Sequence, residues 1–275
     1  MMRRRGRILI GATLAALGLL GVVGLLLTND TRKVSMPSID VATRMVSAEQ
    51  LAAAGKVRLF LGHMSVGENI LAGTKTLYQA LDVAPPSIVQ FTVGGPLPDM
   101  PERGGIVHAL IGENGDPLGK LRNFDTALRS GLAEEIDVAV LKFCYVDINH
   151  ATDVDSLFQQ YRSTLDALKR DYPDIIFLHA TEPMTVKQSG FKGTIKSLIG
   201  RDDNVVRERY NALMRDAYGP DLMFDIAALE GTAPGGGRAP ALYDGYTSDG
   251  GHLNETGSAV VAAGLLRLLS TVVVP

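Results

Sequence analysis

A single cysteine, Cys144, stands in 275 residues. No intrachain disulfide can form from it, so an oxidising compartment is tolerated but not exploited for stability. The histidines show neither His-x-x-x-His nor His-Glu-x-x-His spacing, and no cysteine is paired with them, so the expected metal set is none. A basic surplus is missing too. The formal charge is -3, and four N-terminal arginines are already counted in it, so the rest of the chain is more acidic still. Such a balance does not neutralise phosphates, and nucleic acid is excluded as an expected partner. No internal repeat or low-complexity tract appears.

One long apolar run is present. Ile8 to Leu27 carries no charge and follows Arg3, Arg4, Arg5 and Arg7. It is about as long as the ~20 residues that cross a hydrocarbon core as a helix, and the arginines favour a cytoplasmic N-terminus. The end of the run, Leu25-Leu26-Leu27-Thr28-Asn29-Asp30, lacks the small residues of a cleavage site, so residues 1–29 read as a retained transmembrane anchor, with a cleaved secretory signal as the alternative. Either way the remainder faces the extracytoplasmic side. Residues 30–50 mix charge, proline and small polar groups and read as a linker. Residues 51–275 are then one domain, long enough to bury a single sizeable core.

Within that domain apolar runs alternate with helical patterns. Val57 to Leu61, Ser87 to Val93, Asp137 to Phe143, Ile175 to Ala180 and Leu222 to Ile226 have the length and composition of buried strands. Val66 to Leu81, Asp155 to Tyr172 and Glu255 to Leu269 carry apolar residues at helical spacing. The alternation predicts a three-layer α/β/α sandwich, flavodoxin-like, with about five parallel strands, and places any ligand crevice at their carboxyl ends. Gly94 to Asn123, Met184 to Asp203 and Ala228 to Gly251 show little regular pattern and are expected to wall that crevice.

Two stretches carry chemistry. In Leu61-Gly62-His63-Met64-Ser65-Val66-Gly67 an apolar strand passes through a glycine and a serine directly into a helix. Such a junction exposes Ser65 at a helix N-terminus, where free N–H groups can stabilise an oxyanion. The bland account is that Ser65 caps the helix. Far downstream, Asp249-Gly250-Gly251-His252 sets a carboxylate three residues before an imidazole. Ser65, His252 and Asp249 supply a possible nucleophile, base and orienting acid. The alternative is a glycine-rich turn before a helix that starts at Asn254.

These two stretches, in this order and at the two ends of the alternating pattern, resemble the SGNH/GDSL hydrolase superfamily over about Val57 to Leu269. The resemblance implies a serine hydrolase acting on a carboxylic ester, without cofactor, through an acyl-enzyme on Ser65. The expected partner is a small ester or an acylated glycan, such as an O-acetylated envelope polymer. An acyltransferase and a catalytically weak glycan-binding protein are the alternatives. The family's Gly-Asp-Ser is His63-Met64-Ser65 here, so His63 is a rival base or a stand-in for the absent aspartate. The family's Gly-x-Asn-Asp falls on Tyr145-Val146-Asp147, where Val146 cannot donate to an oxyanion. Substitute donors are Asn114 and Gly115 in the long loop, Asn149 past the third expected strand, and Gly94-Gly95. Asp147 and Glu182 follow strands and face the same crevice, while Lys142 is expected to snorkel from its strand end to water.

Overall fold

The computed structural model describes residues 37–100, 104–187 and 202–272. Its strands are β1 (Arg58–His63), β2 (Ser87–Gln90), β3 (Gly105–Leu110), β4 (Val138–Leu141), β5 (Ile176–Ala180) and β6 (Met223–Phe224). The helices are α1 (Asp40–Thr43), α2 (Ala48–Ala54), α3 (Val66–Ala80), α4 (Pro117–Arg129), α5 (Val154–Asp171), α6 (Asp203–Ala217), α7 (Ile226–Gly231) and α8 (Glu255–Leu269). All strand pairs are parallel, in the order β2-β3-β1-β4-β5-β6.

Side-chain alternation along each strand assigns the layers. Leu59 and Leu61 of β1, with Val138 and Val140 of β4, join the core under α3 and α8; Phe60, Ala139 and Leu141 join the other core, under α4, α5 and α6. Strands buried on both faces read as continuous apolar runs, which is why β1 and β4 were legible.

Two expectations are corrected. The sheet has six strands where about five were expected: β3 lies inside the stretch from Gly94 to Asn123, between β2 and β1. Leaving β3 out, the order is the flavodoxin one, so the sheet is that arrangement with a strand inserted. Asp147 and Asn149 therefore follow the fourth strand and Glu182 the fifth. The linker expected over 30–50 also gives way early. Helix α1 and then α2, opened by a Ser47–Gln50 capping box, bury Ala42, Val46 and Leu51 against α8. The expected anchor from Ile8 to Leu27 lies outside the described residues. Among those described, no helix is long and apolar enough to cross a membrane.

Helix α3 positions the site. Its Val66, Ile70, Leu71 and Leu77 are buried, and Asp82, at φ 51°, ends it in the left-handed region before Pro85 and Pro86. Helix α8 lies against it at very close range: a Cβ on Gly73 would stand 2.2 Å from the Ser258 carbonyl oxygen. The two helices therefore hold the segments that precede them, Ser65 and His252, in a fixed relation at one end of the sheet.

Candidate active site

Two residues separate β1 from α3, and the second is Ser65. Its side chain makes no capping hydrogen bond, so the structure does not use it as an ordinary helix cap. The turn is closed by the backbone: Gly67 N–H donates to the Met64 carbonyl at 2.7 Å and Glu68 N–H to that of Ser65 at 2.9 Å. Among the described residues, no acceptor meets the N–H groups of Ser65 and Val66. These are the donors that a helix N-terminus offers to developing negative charge.

The opposite wall is the turn before α8. His252 Nδ1 lies 2.7 Å from Asp249 Oδ2, while Asp249 Oδ1 accepts the N–H groups of Gly251 at 2.9 Å and His252 at 2.8 Å. With Nδ1 donating to the carboxylate, Nε2 is the nitrogen left to take a proton. The Gly251 N–H first, then the His252 ring and N–H, hold the Asp249 carboxyl well below the usual carboxylate range, so it stays an anion. Thr247 braces the loop by donating to the His252 carbonyl at 2.5 Å. Asn69, in the first turns of α3, accepts the Leu253 N–H at 3.3 Å and ties the two walls together.

Tyr145, just past β4, packs its ring edge-on to His252 with centroids 5.6 Å apart. It leaves no room at residue 251, where a Cβ would be 2.8 Å from the Tyr145 ring. The Arg207 guanidinium stands over that ring, 6.0 Å from its centroid. Neither Tyr145 nor Arg207 was singled out from sequence. An aromatic in the turn after a strand carries no pattern of its own, and Arg207 comes from α6, remote in sequence.

The remaining candidates are placed as follows. Asp147 is buried and fully engaged, accepting Gly115 N–H at 2.7 Å, Cys144 N–H at 2.6 Å and the buried Lys120 ammonium at 2.6 Å. It closes the turn after β4 and holds the backbone there. Gly115 is corrected as an oxyanion donor, because its N–H is given to Asp147. Asn149 builds a turn, its side-chain oxygen accepting Ala151 N–H at 2.9 Å and its own N–H going to Thr152, while its NH2 end meets no acceptor among the described residues and stays a candidate donor. Gly95 N–H is held by the Thr92 carbonyl at 2.9 Å. Asn114 is exposed, and its side-chain oxygen accepts from Lys120 Nζ at 3.0 Å, which leaves the NH2 end free of any acceptor among the described residues. Its loop follows β3, the neighbour of β1, so the inserted strand brings Asn114 to the side of the sheet where Ser65 emerges.

Lys142 does not snorkel. It is fully buried, with Nζ 3.3 Å from Cys144 Sγ, and it faces Glu182 and Glu230. Burial pushes the Glu182 carboxyl well above its ordinary value and Glu230 up to about 8. Among the described residues, neither Glu182 oxygen has a hydrogen-bond partner. This is a buried polar layer beneath the crevice.

His63 is buried with both ring nitrogens committed: Nδ1 lies 3.2 Å from the Met64 carbonyl and Nε2 3.0 Å from His108 Nδ1. Burial holds its imidazole down at about 3. It therefore faces away from a general-base role. Gly67 is required beside it, since a Cβ there would overlap the His63 ring at 2.2 Å. One oxygen of Glu68 approaches this pair, and among the described residues His63, Glu68 and His108 bring ligand atoms within 4.8 Å of one another, a grouping that could hold a metal ion. A cleft of about 600 Å³ opens at the ends of β2 and β3, lined by Gln90, Thr92, Leu110, Glu113, Arg122 and Asn123 among others.

Fold and site together form a parallel α/β sandwich with a serine after the first strand and an Asp-x-x-His before the last helix. No protein-family model and no curated protein matches the chain. Among solved structures it is similar to a candidate platelet activating factor from Streptococcus pneumonia, at a TM-score of 0.50 and 15% identity over 92% of this chain and 99% of that one. At that identity the likeness shows a shared fold. A candidate lipolytic protein of the G-D-S-L family from Desulfitobacterium hafniense DCB-2 aligns at a TM-score of 0.45 and 14% identity, over 77% of this chain and 99% of that one. An acetyl xylan esterase aligns at 0.48 and 17% identity, over 76% and 98%.

Proposed function

We propose that the protein is a serine hydrolase of carboxylic esters, with Ser65 as nucleophile, His252 as base and Asp249 as the acid that orients it. One observation carries the reading: the 2.7 Å bond from His252 to Asp249 sits in a loop that Asn69 ties to the helix headed by Ser65. Ser65 Oγ attacks the ester carbonyl as His252 Nε2 takes its proton. The oxyanion is held by the N–H groups of Ser65 and Val66 and by the Asn114 amide. The tetrahedral intermediate collapses, His252 returns the proton to the departing alcohol, and an acyl-enzyme remains. Water, activated by His252, then releases the acid and restores Ser65.

We assign the substrate to acylated glycans, O-acetyl esters foremost. The support is the cleft at the ends of β2 and β3, which Ser65 and His252 do not line but where Gln90, Thr92, Glu113, Arg122 and Asn123 offer donors and acceptors suited to sugar hydroxyls. The apolar run from Ile8 to Leu27 behind its arginines supports a membrane tether with the domain outside the cytoplasm. The test is a screen of the domain against short-chain esters and acetylated glycans, reading released acetate. Turnover of acetylated glycans above that of simple esters is expected. Turnover of neither contradicts the reading.

A glycan-binding protein with little catalysis is the second reading. It is favoured by the scarcity of oxyanion donors: Val146 offers none, and the N–H groups of Gly95 and Gly115 are bound elsewhere. Glycan binding without acetate release is what this reading expects.

A further inference from the structure

We propose that His63, Glu68 and His108 form a binding site for a divalent transition-metal ion of the zinc class, where β1 and β3 meet the first turn of α3. The site stands or falls separately from ester hydrolysis.

The geometry is that of converging ligands. One nitrogen of each imidazole and one Glu68 oxygen lie within 4.8 Å of one another, with His63 Nε2 3.0 Å from His108 Nδ1 and 4.0 Å from Glu68 Oε1. Bonds of about 2.0–2.2 Å in a tetrahedral set place ligand atoms roughly 3.3 Å apart, so the two imidazoles already have the spacing. Only Glu68 must close in, and its side chain is half exposed and free to move.

Hydrogen bonding prepares the first ligand. The Met64 carbonyl can only accept, so the 3.2 Å contact places the His63 proton on Nδ1 and turns the Nε2 lone pair towards His108. Without an ion, His108 Nδ1–H donates to that lone pair. With the His108 proton moved to its own Nε2, both facing nitrogens have free lone pairs, and a cation bound by the two replaces the shared proton. Nothing else has to be displaced.

Two imidazoles and a carboxylate suit zinc and similar ions better than calcium or magnesium, which prefer oxygen ligands. Lys142 near His63 and Lys75 near His108 oppose a cation; the Glu68 charge offsets them. A bound ion would join two strands to the helix N-terminus and stiffen the turn that carries Ser65. From sequence the set was invisible, because its third member is 40 residues beyond Glu68 and only the inserted β3 brings it to β1.

The test is calorimetric titration of the chelator-stripped full chain with zinc chloride, alongside the visible absorption of cobalt(II) added in its place. One ion per chain is expected, held more tightly than about 1 µM. His108→Gln should abolish uptake, and Glu68→Ala, at an exposed side chain that leaves folding intact, should weaken it by about tenfold or more. His252→Ala should retain the ion, which separates the site from capture by the Asp249 loop. No uptake by the wild-type chain, or uptake unchanged in both His108→Gln and Glu68→Ala, overturns the proposal. If His108→Gln does not fold, Glu68→Ala decides.

Discussion

The side-chain oxygen of Asn69 accepts the backbone N–H of Leu253 at 3.3 Å, joining the first turns of the helix that begins after Ser65 to the residue after His252. These residues are 184 positions apart, and the bond links the segments that carry Ser65 and His252 directly. Asn69→Ala should therefore lower kcat by about tenfold with little change in KM, and cost roughly 1 kcal/mol of stability for the lost hydrogen bond. Steady-state kinetics with urea denaturation checks it. A stability loss with unchanged kcat would make the bond a scaffold contact only.

Asn114 bonds to Lys120 through its oxygen, so its NH2 end is oriented and available. Asn114→Ala should reduce the acylation rate by about 100- to 1000-fold, the usual effect of losing one oxyanion donor, with substrate affinity nearly unchanged. Pre-steady-state acylation measures this. A loss below about tenfold would leave Asn114 as the partner of Lys120 and nothing more.

Glu230 gives a pH dependence with a definite sign. Burial raises its folded pKa from 4.5 to about 8, so between these values the native chain holds a proton that the unfolded chain has released. Its contribution to stability is complete below about pH 4.5, falls by up to about 1.4 kcal/mol per pH unit through the window, and is lost once the pH passes about 8. Glu182 acts in the same direction. Glu230→Gln should flatten the decline without abolishing it, as followed by denaturation from pH 5 to 9. A steeper alkaline decline in the variant would contradict the assignment.

What could be read from sequence followed what the physics writes locally. Strand β1 and helices α3, α5 and α8 are long or continuously apolar, and their bounds came within a few residues. The motifs at Ser65 and Asp249 to His252 are short-range, and the bond between Asp249 and His252 needs only three residues of turn. Strand β3 escaped because Gly104 and Gly105 precede a run interrupted by His108, which looks like loop until its neighbours on both sides are known. Lys142 escaped for a related reason: a buried lysine makes sense only beside Glu182 and Glu230, which arrive from β5 and α7. The turn partners of Asp147 come from two separate segments, so a residue that sequence offered as a further site candidate is a hub of turn contacts.

The central claim is that Ser65 is a nucleophile activated by His252. It is tested most directly by reacting the protein with a fluorophosphonate and locating the adduct by mass spectrometry. Labelling at Ser65 is expected in the wild-type chain, absent in Ser65→Ala, and slowed at least about 1000-fold in His252→Ala, because members of such a unit fail together. Asp249→Ala should slow it less. Labelling at another residue, or at Ser65 with an undiminished rate in His252→Ala, would contradict the account.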